Sequence, residues 1–348
     1  MKDSPLHMQG VQMIGYGGDE MLHYRENLPT PIPTATQVLI KVSAAGVNNT
    51  DINTRLGWYA KSEDLSKDAA WSGQALQFPR IQGADVCGYI VAVGEQVNTD
   101  RIGERVLINP CLMFHQGEAL SQPRYFGSEC DGGFAAYTVV EGVNACSIKS
   151  AYSDLELASF PCSYSTALNM LTREKVTAKD TVLITGASGG VGSAALQLAK
   201  ARGAHVIAQT TATKAAQLKA IGADQIVLRE DDLLQLLGKN KVDVVIDLVA
   251  GPQFPTLLEV IKPFGRYAVA GAIAGPHLNL DVRTLYLKDL SFFGCTILEE
   301  EVFPNLIRLI ETEKIQPLVA HHFPLKEIIQ AQKTFLAKDF IGKIVLTP

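Results

Sequence analysis

Charge is scarce in this chain and neither sign dominates. Of 348 residues 19% are charged, and 31 Lys and Arg against 36 Asp and Glu leave a formal net charge of −5. No basic field is available to hold nucleic acid. The six cysteines, at positions 87, 111, 130, 146, 162 and 295, include no CxxC pair, so they read as reduced thiols of a cytoplasmic protein and not as a secreted disulfide frame. The opening MKDSPLHMQG lacks the basic-then-apolar build of a signal peptide. One long uncharged run, residues 181–199, has the length of a membrane span, but glycines including Gly186 and Gly192 would spoil a lipid-facing helix. A buried strand, a loop and a packed helix explain it better, and a soluble protein is expected. What is plentiful is apolar residues, 47% of the chain, enough for two domains with cores of their own. Disordered, collagen-like and disulfide-built classes are excluded.

Two rhythms divide the sequence. Up to about residue 150, short β-branched runs such as VLIKVSAAGV (38–47), GYIVAVG (88–94), RVLINP (105–110) and GFAAYTVV (133–140) are punctuated by Gly, Pro, Asn and Asp, as in antiparallel barrels and sandwiches. From residue 181 strands alternate with helices of about ten residues, which predicts βαβ units and a parallel sheet. Two further helices, 303–313 and 325–338, and a last strand KIVL close the chain. Residues 59–80 and 111–131 are unusually long for loops.

The stretch VLITGASGGVGSAALQLAK orders a buried strand, a tight turn and a helix, as a dinucleotide site requires. A phosphate approaching the helix N-terminus meets free N–H groups and the positive end of the dipole. Ser188, Gly189, Gly190 and Val191 are the expected phosphate cradle, and Gly192 allows close helix–strand packing. The first glycine of G-x-G-x-x-G is Ala187 here, so the motif is imperfect. An NAD site places Asp or Glu at the end of the next strand for the ribose hydroxyls. Residues 205–223 contain no carboxylate and offer Gln209, Thr210, Thr211, Thr213 and Lys214. Hydroxyls and an ammonium suit a 2′-phosphate, so NADPH is expected as cofactor.

In order along the chain, AAGVNNTD, GADVCGYIVAVGEQV, GERVLI, DGGFAAYTVV, TGASGGVGSAALQLAK and VDVVIDLVAG resemble the medium-chain dehydrogenase/reductases, and among them the zinc-free quinone oxidoreductases of the zeta-crystallin type. The resemblance implies an α/β protein: a GroES-like β-barrel catalytic domain (1–160), a Rossmann doubly wound parallel sheet binding NADP (161–295), and a return to the catalytic domain (296–348). It also implies a homodimer or homotetramer built through the Rossmann sheets.

Alcohol dehydrogenases of that family hold a catalytic zinc through a Cys, a His and a second Cys, and such a site needs about three N or S ligands. Position by position these are Asn48, Ala84 (in Gly83-Ala84-Asp85) and Cys162. One thiol, even with Asp85, makes no competent site, and of the four-cysteine structural lobe only Cys111 and Cys130 fall in the region. No bound metal is expected.

Without a Lewis acid, alcohol oxidation loses its main driver. Hydride delivery to a quinone or to the β-carbon of an α,β-unsaturated carbonyl compound remains feasible through alignment and solvation of the developing oxyanion. The resemblance supplies the candidates. The Asn48 amide is expected to donate to the substrate oxygen, Thr50 stands where a relay hydroxyl is kept, and Tyr59 is a proton donor or a pocket wall. Thr166 matches a threonine beside the nicotinamide. Gly271, Ala272 and Lys343 match positions facing the cofactor, and Asp51 looks structural. Zinc alcohol dehydrogenase and a non-catalytic NADPH-binding protein are the alternative readings.

One insertion, AKSEDLSKDAAWSGQALQ, separates Tyr59 from Phe78. It contains Trp71 and follows Trp58, the chain's two tryptophans. A lid that excludes water and stacks on a flat acceptor is one expectation, and an excursion packed on its own barrel is the other.

Overall fold

The structure, a computed structural model, describes residues 4–348. The chain forms two units. The first takes residues up to 162, with 317–339 and 343–348, and the second takes 163–316 and 340–342. The helix Val302–Glu311, which the sequence placed in the returning segment, belongs to the second unit, and the return to the first begins at Pro317.

The first unit is built on the long strand Gln37–Val47. It pairs antiparallel with Asp85–Val93, with Tyr137–Glu141 and with the C-terminal strand Lys343–Thr347. Its apolar residues Val38, Leu39, Ile40, Val42, Ala44, Ala45 and Val47 are buried, while Lys41 is exposed. Lys343–Thr347 also runs parallel to Val319–Pro324, so the end of the chain completes the sheet that its beginning starts. A smaller sheet places His7–Met13 between Leu22–Pro29 and Arg80–Ile81. Residues 111–131, expected as a loop, instead form a hairpin of Cys111–His115 and Glu118–Tyr125.

The second unit holds six strands, all parallel: β1 (Thr181–Ile184), β2 (His205–Thr210), β3 (Gln225–Leu228), β4 (Val242–Asp247), β5 (Ile261–Val269) and β6 (Ser291–Gly294). Their order, β3-β2-β1-β4-β5-β6, is that of the Rossmann sheet. Val182, Leu183, Val244, Val245 and Ile246 are wholly buried, as both faces of a parallel sheet must be. The uncharged run 181–199 divides into β1, a turn and the helix Gly190–Ala201, whose buried face is mostly Ala and Leu. Among the described residues no helix is long and apolar enough to cross a membrane. The strand order reverses between β1 and β4, and ligands of such sheets bind beyond the carboxyl ends of the strands at that point.

Candidate functional site

In the second unit the turn after β1 is shaped by its glycines. A Cβ on Gly192 would stand 2.3 Å from the Gly186 carbonyl oxygen and 2.6 Å from Ala187 Cα, so only glycine lets the helix pack this tightly on the turn. Gly189 is the opposite case. A Cβ there would meet only the Gly186 oxygen, at 3.6 Å, and otherwise enter open space. Gly189 caps the twelve-residue helix Gly190–Ala201 with no side-chain capping bond to the N–H groups of its first turn. Ser188, Gly190 and Val191 are half-buried and Gly189 is exposed, so unpaired N–H groups and the dipole face an accessible cradle.

The end of β2 adds a second fit. Gln209 Nε2 and Thr210 Oγ1 are buried without a hydrogen-bond partner. Orphaned polar atoms of this kind are costly unless a ligand satisfies them. Thr211 and Thr213 share a hydroxyl contact of 3.1 Å at the same strand end, and Lys214 follows, half-buried. A dinucleotide fits these residues: the turn would hold its diphosphate and the β2 end its adenosine ribose. Thr166 is half-buried on the helix Pro161–Arg173, where every other residue from 161 to 171 is buried. Gly271 and Ala272 are half-buried beyond β5.

In the first unit the candidate residues converge on a buried charged cluster. Asn48 precedes the helix Asn49–Leu56, and its backbone N–H donates to Asp51 Oδ2 at 2.7 Å. Burial pushes the Asp51 carboxyl up to about 7, against that N–H bond and the charge of Lys343. The Asn48 amide nitrogen donates to Asp85 Oδ2 at 2.9 Å, and its oxygen accepts from Lys343 Nζ. Lys343 Nζ lies 2.7 Å from Asp85 Oδ2, both residues being almost fully buried. Gly46 makes room for this group, since a Cβ there would come within 2.6 Å of Asp85 Oδ2. Asp85 Oδ1 accepts from the backbone N–H of Cys162.

Two expectations read differently against this geometry. Asn48 was expected to donate its amide to substrate, and here that amide is engaged by Asp85 and Lys343. Lys343 was expected to face the cofactor, and here it is the internal counter-ion of Asp85. The sequence missed Asp85 as the hub of the cluster. The available signal was a lysine opening the strand Lys343–Thr347, whose first four residues are all buried, because a charge in such a place must be paired.

Beside the cluster, Tyr125 Oη donates to Cys162 Sγ at 3.0 Å. Trp71 stacks on the Tyr125 ring and packs against Ala84, Tyr125 and Cys162. Tyr59 Oη donates to Thr50 Oγ1 at 3.1 Å. Burial raises the Tyr59 phenol above its ordinary value, so it keeps its proton at neutral pH.

These residues do not fit a zinc site. The Asn48 oxygen is taken by an ammonium, Ala84 has no donor atom, and burial pushes the Cys162 thiol up to about 12. Among the described residues no group of three or more His, Cys, Asp or Glu is placed to hold a metal ion.

The insertion 60–77 is tied to its own unit. Trp71 N–H donates to Ser128 Oγ at 3.1 Å and Ser72 N–H to Glu129 Oε1 at 2.7 Å. Gln74 Nε2 donates to Gln122 Oε1 at 2.8 Å, and Gln122 Nε2 donates back to the Ser72 carbonyl. Trp71 is thus packed on the hairpin Cys111–Tyr125 and the turn after it, within its own unit.

Known proteins agree with this layout. Residues 34–150 match the alcohol dehydrogenase GroES-like domain, and residues 190–312 match the family described as zinc-binding dehydrogenase. The acryloyl-coenzyme A reductase of Metallosphaera sedula is 30% identical over 327 residues, covering 91% of this chain and 94% of that protein. Human quinone oxidoreductase is 26% identical over 354 residues, covering 97% of each. A solved structure from Sinorhizobium meliloti, described as a candidate alcohol dehydrogenase, superposes with a TM-score of 0.92 at 45% identity, covering 99% of this chain and 98% of that one. With a GroES-like domain, a six-stranded Rossmann sheet and relatives aligned over nearly its full length, the chain belongs to the medium-chain dehydrogenase/reductase superfamily of oxidoreductases, in its quinone oxidoreductase-like branch.

Proposed function

We propose that the protein reduces a quinone or an α,β-unsaturated carbonyl compound with NADPH and without a metal. The observation that carries this reading is the chemistry at the three positions where zinc-dependent relatives place ligands: an amide held by a lysine, a methyl group, and a protonated thiol under a Tyr–Trp stack. Acceptors that are already electrophilic are the substrates such a site suits, because they need no Lewis acid.

A bound reduced nicotinamide would supply the hydride. In the second unit Ser188, Gly190 and Val191 bind the diphosphate through backbone N–H groups, and Gly189, whose own N–H donates to the Gly186 carbonyl, leaves the approach open. Gln209, Thr210, Thr211 and Lys214 take the 2′-phosphorylated ribose, where no carboxylate repels it. Thr166, Gly271 and Ala272 orient the nicotinamide. In the first unit Tyr59 holds a proton at Oη, hydrogen-bonded to Thr50, available to the oxygen of the reduced product. Trp71 and Tyr125 offer a flat apolar wall that excludes water.

The same reading makes the protein a cytoplasmic homodimer or homotetramer. It is supported by β6, an edge strand, and by the exposed Val282, Tyr286 and Leu287 on the neighbouring helix Val282–Leu287.

The test is oxidation of NADPH and of NADH against quinones, enones, saturated aldehydes and alcohols, with and without a chelator. NADPH-preferring turnover of quinones or enones that survives chelation is expected. Turnover of saturated aldehydes alone, lost on chelation, would assign the protein to metal-dependent alcohol dehydrogenation instead.

A further inference from the structure

We infer that Asp247 is a positioning residue for the nicotinamide-bearing half of the dinucleotide, acting by holding residues 248–251 in the backbone shape that half lies against. The inference rests on the second unit being an NADPH site.

Asp247 ends β4 and is wholly buried. Four neutral donors surround its carboxylate. Oδ1 accepts from Thr185 Oγ1 at 2.6 Å, Val249 N at 2.9 Å and Ala250 N at 3.0 Å, and Oδ2 accepts from Tyr267 Oη at 2.6 Å. Thr185 Oγ1 also accepts from Leu248 N at 3.0 Å. Three consecutive amides, 248 to 250, are thus gripped by two side chains. An anion stabilised only by oriented dipoles makes such a cluster rigid.

The grip has something to hold. Ala250 sits at φ 57°, ψ −146°, a backbone conformation that a residue with a Cβ rarely adopts. Strain of this kind persists where the surroundings over-determine it, and it gathers at ligand sites.

The held segment organises its neighbours. Ala274 N donates to the Val249 carbonyl at 2.9 Å. A Cβ on Gly271 would stand 2.9 Å from the Leu248 oxygen, and one on Gly251 would stand 2.7 Å from the Ala274 oxygen. On the other side, a Cβ on Gly186 would stand 3.1 Å from Val249 Cγ2. The chain leaving β1, β4 and β5 is therefore packed around one carboxylate, at the point where the strand order reverses.

Direction follows from the sheet. The orphaned Gln209 and Thr210 place the adenosine half beyond β2, on one side of the glycine turn. The other half must then run the opposite way, over β4 and β5, onto residues 248–251 and 271–272.

The test compares NADPH with 2′,5′-ADP, which carries the adenosine half alone. Asp247→Asn keeps one acceptor oxygen but turns an N–H₂ toward the Tyr267 hydroxyl, so the four-donor arrangement cannot survive. Tyr267→Phe removes one donor and leaves the carboxylate. Fold is checked for both by circular dichroism and thermal melts. D247N is expected to raise the NADPH Kd by about tenfold, the size of one charge-assisted hydrogen bond, and the 2′,5′-ADP Kd by less than about twofold. Y267F is expected to show the same split, smaller. Equal losses for both ligands, or an unchanged NADPH Kd in both variants, would overturn the inference. Wild-type protein that binds neither ligand would overturn the NADPH reading itself, a failure visible before any substitution is made.

Discussion

Trp71 lies nearly flat on Tyr125, with ring centroids 4.8 Å apart and planes inclined by 27°. Tyr125 Oη donates a hydrogen bond to the Cys162 sulfur, so indole, phenol and thiol form one column beside the Asp85–Lys343 pair. The column joins a segment that sequence motifs do not cover to Cys162, the one thiol left among the three zinc-ligand positions.

Replacing Trp71 with Ala should therefore reach substrate choice. Half-buried, the indole contributes less than a core aromatic, and W71A should cost about 2 kcal/mol of stability. It should also raise KM for a flat quinone more than for a short acyclic enone. Deletion of residues 62–72 with an unchanged acceptor profile would show that the segment plays no part in selection.

Gly189→Ala should separate binding from folding. The new methyl meets one oxygen at 3.6 Å and the native φ is −74°, so the melting temperature should stay within a degree or two. The same methyl occupies the approach a phosphate would take, and dinucleotide affinity should fall by about tenfold or more. Unchanged affinity in isothermal titration would remove the turn from the site. Gly192→Ala, which collides with backbone, should lose stability first.

Lys343→Met leaves Asp85 charged and unpaired in the interior. Breaking a buried pair in this way costs about 3–5 kcal/mol, while removing both charges is far milder. Urea melts of K343M, D85N and the double variant should show the double to be more stable than K343M alone. Additive losses would mean that the two side chains do not meet in solution.

Asp51 predicts a pH dependence. Its folded value, about 7, lies above the ordinary carboxyl value of about 3.9, so the folded state binds the proton more tightly. Stability from this group is complete below about pH 4, is lost as pH rises toward 7, and is flat above that. Asp51→Asn stays neutral and keeps an oxygen for the Asn48 N–H. Its stability relative to wild type should thus climb between pH 4 and 7, by at most about 4 kcal/mol. The same difference at pH 5 and pH 8 would mean that Asp51 is not raised.

The parallel sheet was legible because strands buried on both faces read as mostly apolar runs, VLIT and VDVVIDLV, separated by helices. The glycine turn was legible because its chemistry is local. The hairpin 111–125 was not, since its strands are half exposed, include Pro123 and lack clean alternation. Lys343 and Asp247 were misread or missed for one reason. What a buried charge meets depends on strand register, and Asn48, Asp85, Thr185 and Tyr267 reach these two residues from other strands and turns.

Residues 60–77 and 111–131 grip one another through Ser72, Gln74, Gln122, Ser128 and Glu129. Neither can be exchanged singly. A chimaera that borrowed only the tryptophan-bearing stretch from this chain would leave it without its anchorage, so grafts meant to transfer acceptor preference to a homologue must move both excursions together.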